Sequence, residues 1–193
     1  MMKTFACAVA LVVALPASAK WIAVPTADRA PVAGGALTVK PEAGWNRWSK
    51  KPTKQSELWS FDGPLLNQIQ FFGGIGSGQP LAKERNKKRE PLPKFKIDMK
   101  ATEVAEAFEQ TLRVTQGASD FAIDQIEPAA FGATQGFRFA YHYTAGELVR
   151  KGEVRGAIVK NKLYMIAYSA PALHYYDAHL AGAQAVMDSA RIN

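Results

Sequence analysis

Alternating and continuous apolar runs along this chain predict a structure of mostly β-strands with two helices. The most regular stretch, from Gly136 to Pro171, contains the runs GFRFAYHY, GEVRGAIVK and LYMIAYSA. Thr144-Ala145-Gly146-Glu147 separates the first two runs, and Asn161-Lys162 separates the last two. Asn tolerates the positive φ angles that two-residue turns require, so the pattern predicts an antiparallel three-stranded meander.

Both faces of this meander are expected to be buried. Successive side chains of a strand point to opposite faces, and the LYMIAYSA run is apolar on both. The GFRFAYHY run places four aromatic residues on one face and Arg138, Ala140 and His142 on the other. A strand that is apolar on both faces is typical of a sheet covered on both sides. We therefore predict an α+β fold in which helices cover both faces of an antiparallel meander, an α/β/α sandwich.

Two segments carry the helical period. The first predicted helix has Thr102 as its N-cap, repeats an apolar residue every four positions and stops at Gly117. The second begins after Ser169-Ala170-Pro171, because proline suits the first helical turn. Apolar residues at spacings of three and four form its inner face: Leu173, Tyr176, Leu180, Ala183 and Met187.

The rest of the chain predicts further strands in a single domain. Residues 20–36 hold two prolines and a glycine pair without periodicity, which indicates an extended lead-in to a domain of residues 37–193. Strands are expected within 37–48, 57–62, 65–75 and 121–131, the last ending near Pro128.

Residues 1–19 have the form of a cleaved secretory signal. Lys3 is followed by an apolar run from Phe5 to Leu15 and by the small-x-small sequence Ala17-Ser18-Ala19. The run is too short to span a bilayer, so no transmembrane anchor is expected. Cleavage after Ala19 would deliver a periplasmic or secreted protein. The only cysteine, Cys7, lies in this segment, so the mature chain is expected to lack disulfides and thiolate chemistry.

Positive charge is concentrated in one segment of this basic chain. The whole sequence has a formal net charge of +7, and residues 83–96, KERNKKREPLPKFK, hold seven basic and two acidic residues. Pro91 and Pro93 exclude a helix there, so we expect a surface loop, called the basic arm below. The candidate partner-binding residues are Lys83, Arg85, Lys87, Lys88, Arg89, Lys94 and Lys96.

Three kinds of acidic partner suit an exported basic protein: an envelope protein, a glycan or a lipid headgroup. Nucleic acid is not expected as a partner outside the cytoplasm. The alternative is that the positive charge only keeps the domain soluble. The oligomeric state cannot be predicted from the sequence.

Common catalytic signatures are missing from the sequence. There is no Gly-x-Ser-x-Gly elbow, no His-Glu-x-x-His and no phosphate-binding loop. His174 and His179 are five residues apart, about 140° around a helix, which disfavours a shared metal ion. We expect neither a metal nor a cofactor. A hydrolase or isomerase with a site of dispersed residues is the alternative, and it requires His142, Asp177 and His174 to meet in one pocket.

Aromatic residues support a third hypothesis, a carrier of a small ligand. A cavity beside Tyr141 or Tyr168 would favour it. Trp45, Trp48 and Trp59 could stack on a sugar or a lipid headgroup, although packing within an aromatic-rich core is the favoured interpretation.

The second half of the chain resembles the PsbP and DcrB group of exported proteins. The resemblance is carried by GFRFAYHY, by the hairpin KGEVRGAIVKNKLYMIAYSAP and by the following HYYDAHLAGAQAVMDSARI, over roughly residues 99–193. It implies an α/β/α sandwich around an antiparallel sheet and a non-enzymatic accessory or binding role. Our leading expectation is therefore an exported cell-envelope binding or accessory protein that contacts an acidic partner through the basic arm.

Overall fold

A computed structural model describes residues 20–193, in which an extended antiparallel sheet forms the centre of the fold. The expected secretory signal lies outside the described residues. The described part of the chain has two α-helices, α1 (Ala101–Gln116) and α2 (Tyr175–Asp188). Its strands are β1 (Trp21–Ala23), β2 (Ala30–Val32), β3 (Leu37–Val39), β4 (Asn46–Trp48), β5 (Ser56–Ser60), β6 (Gln68–Gly76), β7 (Ser119–Phe131), β8 (Thr134–Ala145), β9 (Leu148–Val159), β10 (Lys162–Pro171) and β11 (Arg191–Ile192).

Eight strands form one sheet in the order β1-β4-β5-β6-β10-β9-β8-β7, and all neighbours are antiparallel. The pairing of β6 with β10 joins the two halves of the chain. Strands β11, β3 and β2 form a second, small sheet. These pairings give an α+β fold with a large antiparallel sheet and two helices, as predicted.

The predicted meander corresponds to β8, β9 and β10. All three strands are longer than expected, and β9 begins four residues earlier, at Leu148. The turn between β9 and β10 lies at Lys160-Asn161, one residue earlier than predicted, and both residues have positive φ angles of 48° and 63°. Positive φ at both central positions is the geometry that continues the twist of paired strands.

Two buried clusters share the central strand β10. Leu163 and Met165 belong to a cluster that includes Phe108 of α1, which we call the α1 cluster. Tyr164 and Ile166 belong to a second cluster that includes Met187 of α2. The prediction that both faces of this strand are buried is therefore confirmed.

The helix ends differ from the prediction. The N-cap of α1 is Lys100, not Thr102, and the carboxylate of Glu103 accepts a hydrogen bond from the Lys100 N–H (2.8 Å). The predicted stop at Gly117 is confirmed, since this residue adopts the left-handed conformation (φ 65°). Pro171 does not lie in the first turn of α2, contrary to the prediction from its suitability there, because it still pairs with Arg150 in the sheet. Helix α2 begins only at Tyr175.

Residues 20–36 take part in both sheets. Strand β1 pairs with β4 in the large sheet, and β2 pairs with β3 in the small one. Val32 and Ala33 are buried in the cluster that includes Met187 of α2. The expected lead-in therefore contributes packed residues to the fold. Neither helix of the described region is long and apolar enough to cross a membrane.

Candidate functional site

The basic arm, residues 83–96, is a loop that apolar residues attach to the body of the protein. Leu92 and Phe95 within the arm are 4% and 2% exposed, and Leu81 just before it is 2% exposed. The backbone N–H of Phe95 donates to the carbonyl of Gln79 (2.9 Å), and the N–H of Gly78 donates to the carbonyl of Phe95 (2.8 Å). Residues 83–96 contain no helix. The arm has a defined position because its apolar residues are buried.

All seven cationic side chains of the basic arm are exposed. None of them forms an ion pair or a side-chain hydrogen bond within residues 20–193, whereas Arg113, Arg138 and Arg155 elsewhere each pair with a carboxylate. Like charges that lie close together and lack local partners raise the positive potential at the surface. The arm therefore presents a positive surface that can attract an anionic group.

A cavity of about 400 Å³ lies between α1, the strands β5 and β6, and the beginning of the basic arm. Phe72 and Phe108 form apolar parts of its wall, and Gln68 and Gln70 contribute amides from β6. Lys83 and Arg85 are the charged residues of the lining, which contains no carboxylate. Only two of the seven predicted residues thus line a cavity. The sequence pattern did not reveal the cavity, because its walls come from four separate segments.

A buried cationic side chain, Arg150 of β9, lies near this cavity, because it is linked to Gln68 of the cavity wall through Ser169. It is 6% exposed, and its guanidinium donates to the carbonyls of Leu65 (2.7 Å) and Ser169 (3.5 Å). Its Nε has no hydrogen-bond partner, and it forms no ion pair with any carboxylate of the described chain. Burial raises the pKa of the neighbouring Tyr143 phenol, and the positive charge of Arg150 opposes this shift. A buried charge without a counter-charge is costly, so this position is unusual.

The dispersed histidines and aspartates of the enzyme hypothesis have separate partners. His142 lies 2.7 Å from Asp124 on the neighbouring strand β7, and His179 lies 2.8 Å from Asp62. His174 precedes α2 with a positive φ of 67°. Five cavities of the described region have none of His142, His174 and Asp177 in their walls. No group of three metal-ligating side chains occurs within residues 20–193 either.

The aromatic residues considered for sugar or lipid stacking are largely part of the core. Trp45 and Trp59 are 2% and 1% exposed, and the Trp59 ring packs edge-on against Phe71 (4.7 Å between centroids). Trp48 packs against Trp21 (4.9 Å). Core packing, the favoured interpretation of these residues, is confirmed for Trp45 and Trp59. Tyr141 and Tyr168 are buried, and neither lines any of the same five cavities in residues 20–193.

Comparison with solved structures places this fold among PsbP-like folds. The solution structure of cyanobacterial PsbP (CyanoP) from Synechocystis sp. PCC 6803 matches 92% of this chain and 94% of its own, at 15% identity and a TM-score of 0.54. The Ran-binding protein Mog1p of Saccharomyces cerevisiae matches 85% of this chain and 94% of its own, at 10% identity and a TM-score of 0.53. No protein-family model matches the chain, and no match to a curated protein sequence was found.

The predicted resemblance to PsbP is confirmed at the level of the fold. It extends over most of the chain, beyond the second half to which the sequence motifs had limited it. Because identities of 10% and 15% establish the fold alone, neither structure assigns an activity or a partner to this chain.

Proposed function

We propose that this chain is an exported cell-envelope protein that acts as a binding or accessory module without catalysis. Its basic arm would contact an acidic partner, and we propose that this partner is an acidic protein of the cell envelope. The observation that carries this proposal is the set of seven exposed, unpaired cations on a loop fixed by buried apolar residues. A positioned loop loses less conformational entropy on binding than a disordered tail of the same charge.

The fold neighbours are consistent with such a role. Mog1p of yeast is a Ran-binding protein, so a fold of this kind can serve for protein recognition. Fold likeness alone does not transfer a function, and the proposal therefore depends on the arm. Exposed charges guide association over about one Debye length, 8–10 Å at physiological salt. Binding through the arm should consequently weaken as salt is added.

The experiment compares partner recovery by three forms of the mature protein. Tagged wild-type protein, the variant Lys87→Gln/Lys88→Gln/Arg89→Gln and a control variant are incubated with envelope extract at low and at moderate salt. Quantitative mass spectrometry then compares the recovered proteins. We expect one or a few acidic proteins to be recovered by the wild type, to decrease with salt and to be lost with the arm variant.

The control variant neutralises three exposed lysines outside the arm, Lys50, Lys51 and Lys54. It removes the same number of charges, so a loss caused by net charge alone would appear in both variants. Identical recovery by the wild type and the arm variant would refute the role of the arm. Equal losses in the arm variant and the control would refute a specific surface and leave only the general effect of charge.

Export is a separate part of the proposal and rests on residues 1–19. We propose cleavage after Ala19, so that the mature chain begins at Lys20 and folds as a single domain. Cell fractionation followed by N-terminal sequencing tests this directly. Recovery of the uncleaved chain in the cytoplasm would exclude the envelope role.

We also infer that one helix lies on each face of the large sheet, in an α/β/α arrangement. The support is the division of alternate β10 residues between the α1 cluster and the cluster containing α2. Hydrogen exchange tests it: amides in the middle of β9 and β10 should be the slowest in the chain, because both faces are protected. Fast exchange there would argue for an uncovered face.

A further inference from the structure

We infer that the cavity between α1, β5, β6 and the basic arm is a binding site for a small single-chain amphipathic anion, an aliphatic body ending in one carboxylate. This inference goes beyond the proposed function, because it concerns a small ligand and does not require an acidic protein partner. It depends on Lys83 and Arg85, the first two cations of the arm, and not on the other five.

The inner part of the cavity is apolar. Leu58 of β5, Phe72 of β6, and Phe108 and Leu112 of α1 contribute to the walls. Phe72 and Phe108 are 2% and 3% exposed, so the part of the wall that they form is far from the protein surface. A volume of about 400 Å³ falls in the range of small-molecule pockets and suits a single short chain. Burying an aliphatic chain here would be favourable by the hydrophobic effect.

The outer part of the cavity carries positive charge and amide groups. Lys83 and Arg85 are the only charged residues of the lining, and within the described residues neither has a carboxylate partner. The side chain of Gln70 forms no hydrogen bond to any described residue, while Gln68 donates to the hydroxyl of Ser169 (3.2 Å). The unpaired amide of Gln70 and the two cations therefore provide N–H groups that can donate hydrogen bonds to a carboxylate.

A second observation points to an anion at the same place. Gln68, in the cavity wall, is bonded through its amide to Ser169, and the carbonyl of Ser169 accepts a hydrogen bond from the buried Arg150. Arg150 is therefore two contacts behind the wall, with a buried Nε that lacks a partner. Its charge acts through protein of low dielectric constant, where electrostatic interactions are stronger than in water. An anion in the cavity would offset a charge that no described carboxylate neutralises.

Another cavity of the fold has a lining that is less suited to an anion. It has a volume of about 480 Å³ and lies beside Arg29, Gly132 and Asp188. Arg29 already donates to the carbonyl of Ser189 (2.7 Å), and Asp188 is paired with Arg155. Arg191 also lines this cavity without a carboxylate partner among the described residues, but the carboxylate of Asp188 lies in the same wall and would repel an anion. For this reason we assign the ligand to the cavity under the arm.

Calorimetric titration of the mature protein with octanoate tests the inference, with octanol and acetate as comparison compounds. We expect saturable binding of one octanoate per chain. Octanol lacks the charge and acetate lacks the apolar chain, so each should bind at least about tenfold more weakly. Octanol binding as tightly as octanoate, or no saturable binding of octanoate, would overturn the inference.

Two pairs of variants locate the site. Lys83→Gln/Arg85→Gln should weaken octanoate binding about tenfold or more, whereas Lys87→Gln/Lys88→Gln removes the same charge outside the lining and should leave it unchanged. Thr115→Phe fills the cavity from α1 and should abolish binding. The matched control, Gln110→Phe, adds the same ring at an exposed position of α1 outside the lining.

The results separate this inference from the proposed function. Octanoate binding that survives in the variant Lys87→Gln/Lys88→Gln/Arg89→Gln, which is expected to lose the acidic protein, supports the cavity independently. Unchanged octanoate affinity in a folded Thr115→Phe protein would refute the site. The surface variant Lys83→Gln/Arg85→Gln keeps the inference testable if Thr115→Phe fails to fold, and unchanged affinity in that variant would refute the role of the rim charges.

Discussion

Gly152 in β9 is a position at which the addition of a single methyl group should destabilise the fold strongly. It pairs directly with Tyr141 of β8. A methyl group at Gly152 would overlap the Tyr141 ring, lying 2.5 Å from Cε1 and closer still to Cζ and the hydroxyl. The ring cannot move aside easily, since it is 2% exposed, stacks on Phe121 (5.4 Å) and meets Phe108 edge-on (5.2 Å).

The expected cost follows from this confinement. Inserting one methyl group into a well-packed core costs roughly 1–3 kcal/mol, and a rigid aromatic ring on the receiving side places Gly152→Ala near the upper end. We therefore expect a loss of about 3 kcal/mol in the free energy of unfolding. For a chain of this length, that corresponds to a decrease in Tm of about 6–12 °C.

Urea unfolding followed by circular dichroism measures the change, with Gly182→Ala as the matched control. Gly182 lies within α2, and a methyl group there would have Glu42 Oε2 as its nearest neighbour, at 3.8 Å. Since alanine favours helix over glycine by about 0.8–1 kcal/mol, the control should be as stable as the wild type or more stable.

A double substitution identifies the cause of the loss. In the Tyr141→Leu background the aromatic ring is absent, so the additional cost of Gly152→Ala should fall below about 1 kcal/mol. Wild-type stability of Gly152→Ala would refute the reasoning. The same loss in both backgrounds would show that the overlap is with something other than Tyr141.

Three further changes are predicted to alter stability. Arg155→Met should cost about 3 kcal/mol in urea unfolding, because Glu153, 8% exposed, loses its charged partner at 2.6 Å; adding Glu153→Leu should restore most of the loss. Asn67→Ala should cost about 2 kcal/mol in the same assay, since its fully buried Oδ1 accepts the N–H of Phe61 (2.6 Å), and an unchanged midpoint would contradict this. Burial raises the pKa of Tyr176 from 10.0 to about 12, so its contribution to stability is fully present below pH 10 and is lost as the pH rises towards 12. Urea midpoints that stay constant over this pH range would refute that assignment.

The parts of the fold that could be predicted are those in which neighbouring residues specify the structure. Alternating aromatics in β8 and two apolar faces in β10 indicate strands and their burial without knowledge of any partner. Gly117 ends α1 because a left-handed residue is needed there. The predictions were wrong where residues distant in the sequence determine the local structure. Strand β7 continues through Pro128 to Phe131, and proline is tolerated because β7 is the edge of the sheet.

The start of α2 is a second case in which a residue distant in the sequence determines the local structure. Proline suits the first turn of a helix, yet Pro171 completes β10 because Arg150 on β9 lies opposite it. A ladder of ten consecutive pairs between the two strands outweighs a local preference of one residue. The helix begins only after the chain has turned through His174 with its positive φ.

The sequence alone determined the classes of structure and the chemical character of the arm. Composition and charge are local properties, so the seven cations, the single cysteine near the N-terminus and the pattern of strands and helices could be read directly. The tertiary structure decided which of these residues share a site. Lys83 and Arg85 line a cavity with Gln70 and Phe108 only because β6, α1 and the arm, which are separate in the chain, pack together. Contacts of this kind depend on long-range strand pairing, which local periodicity does not specify.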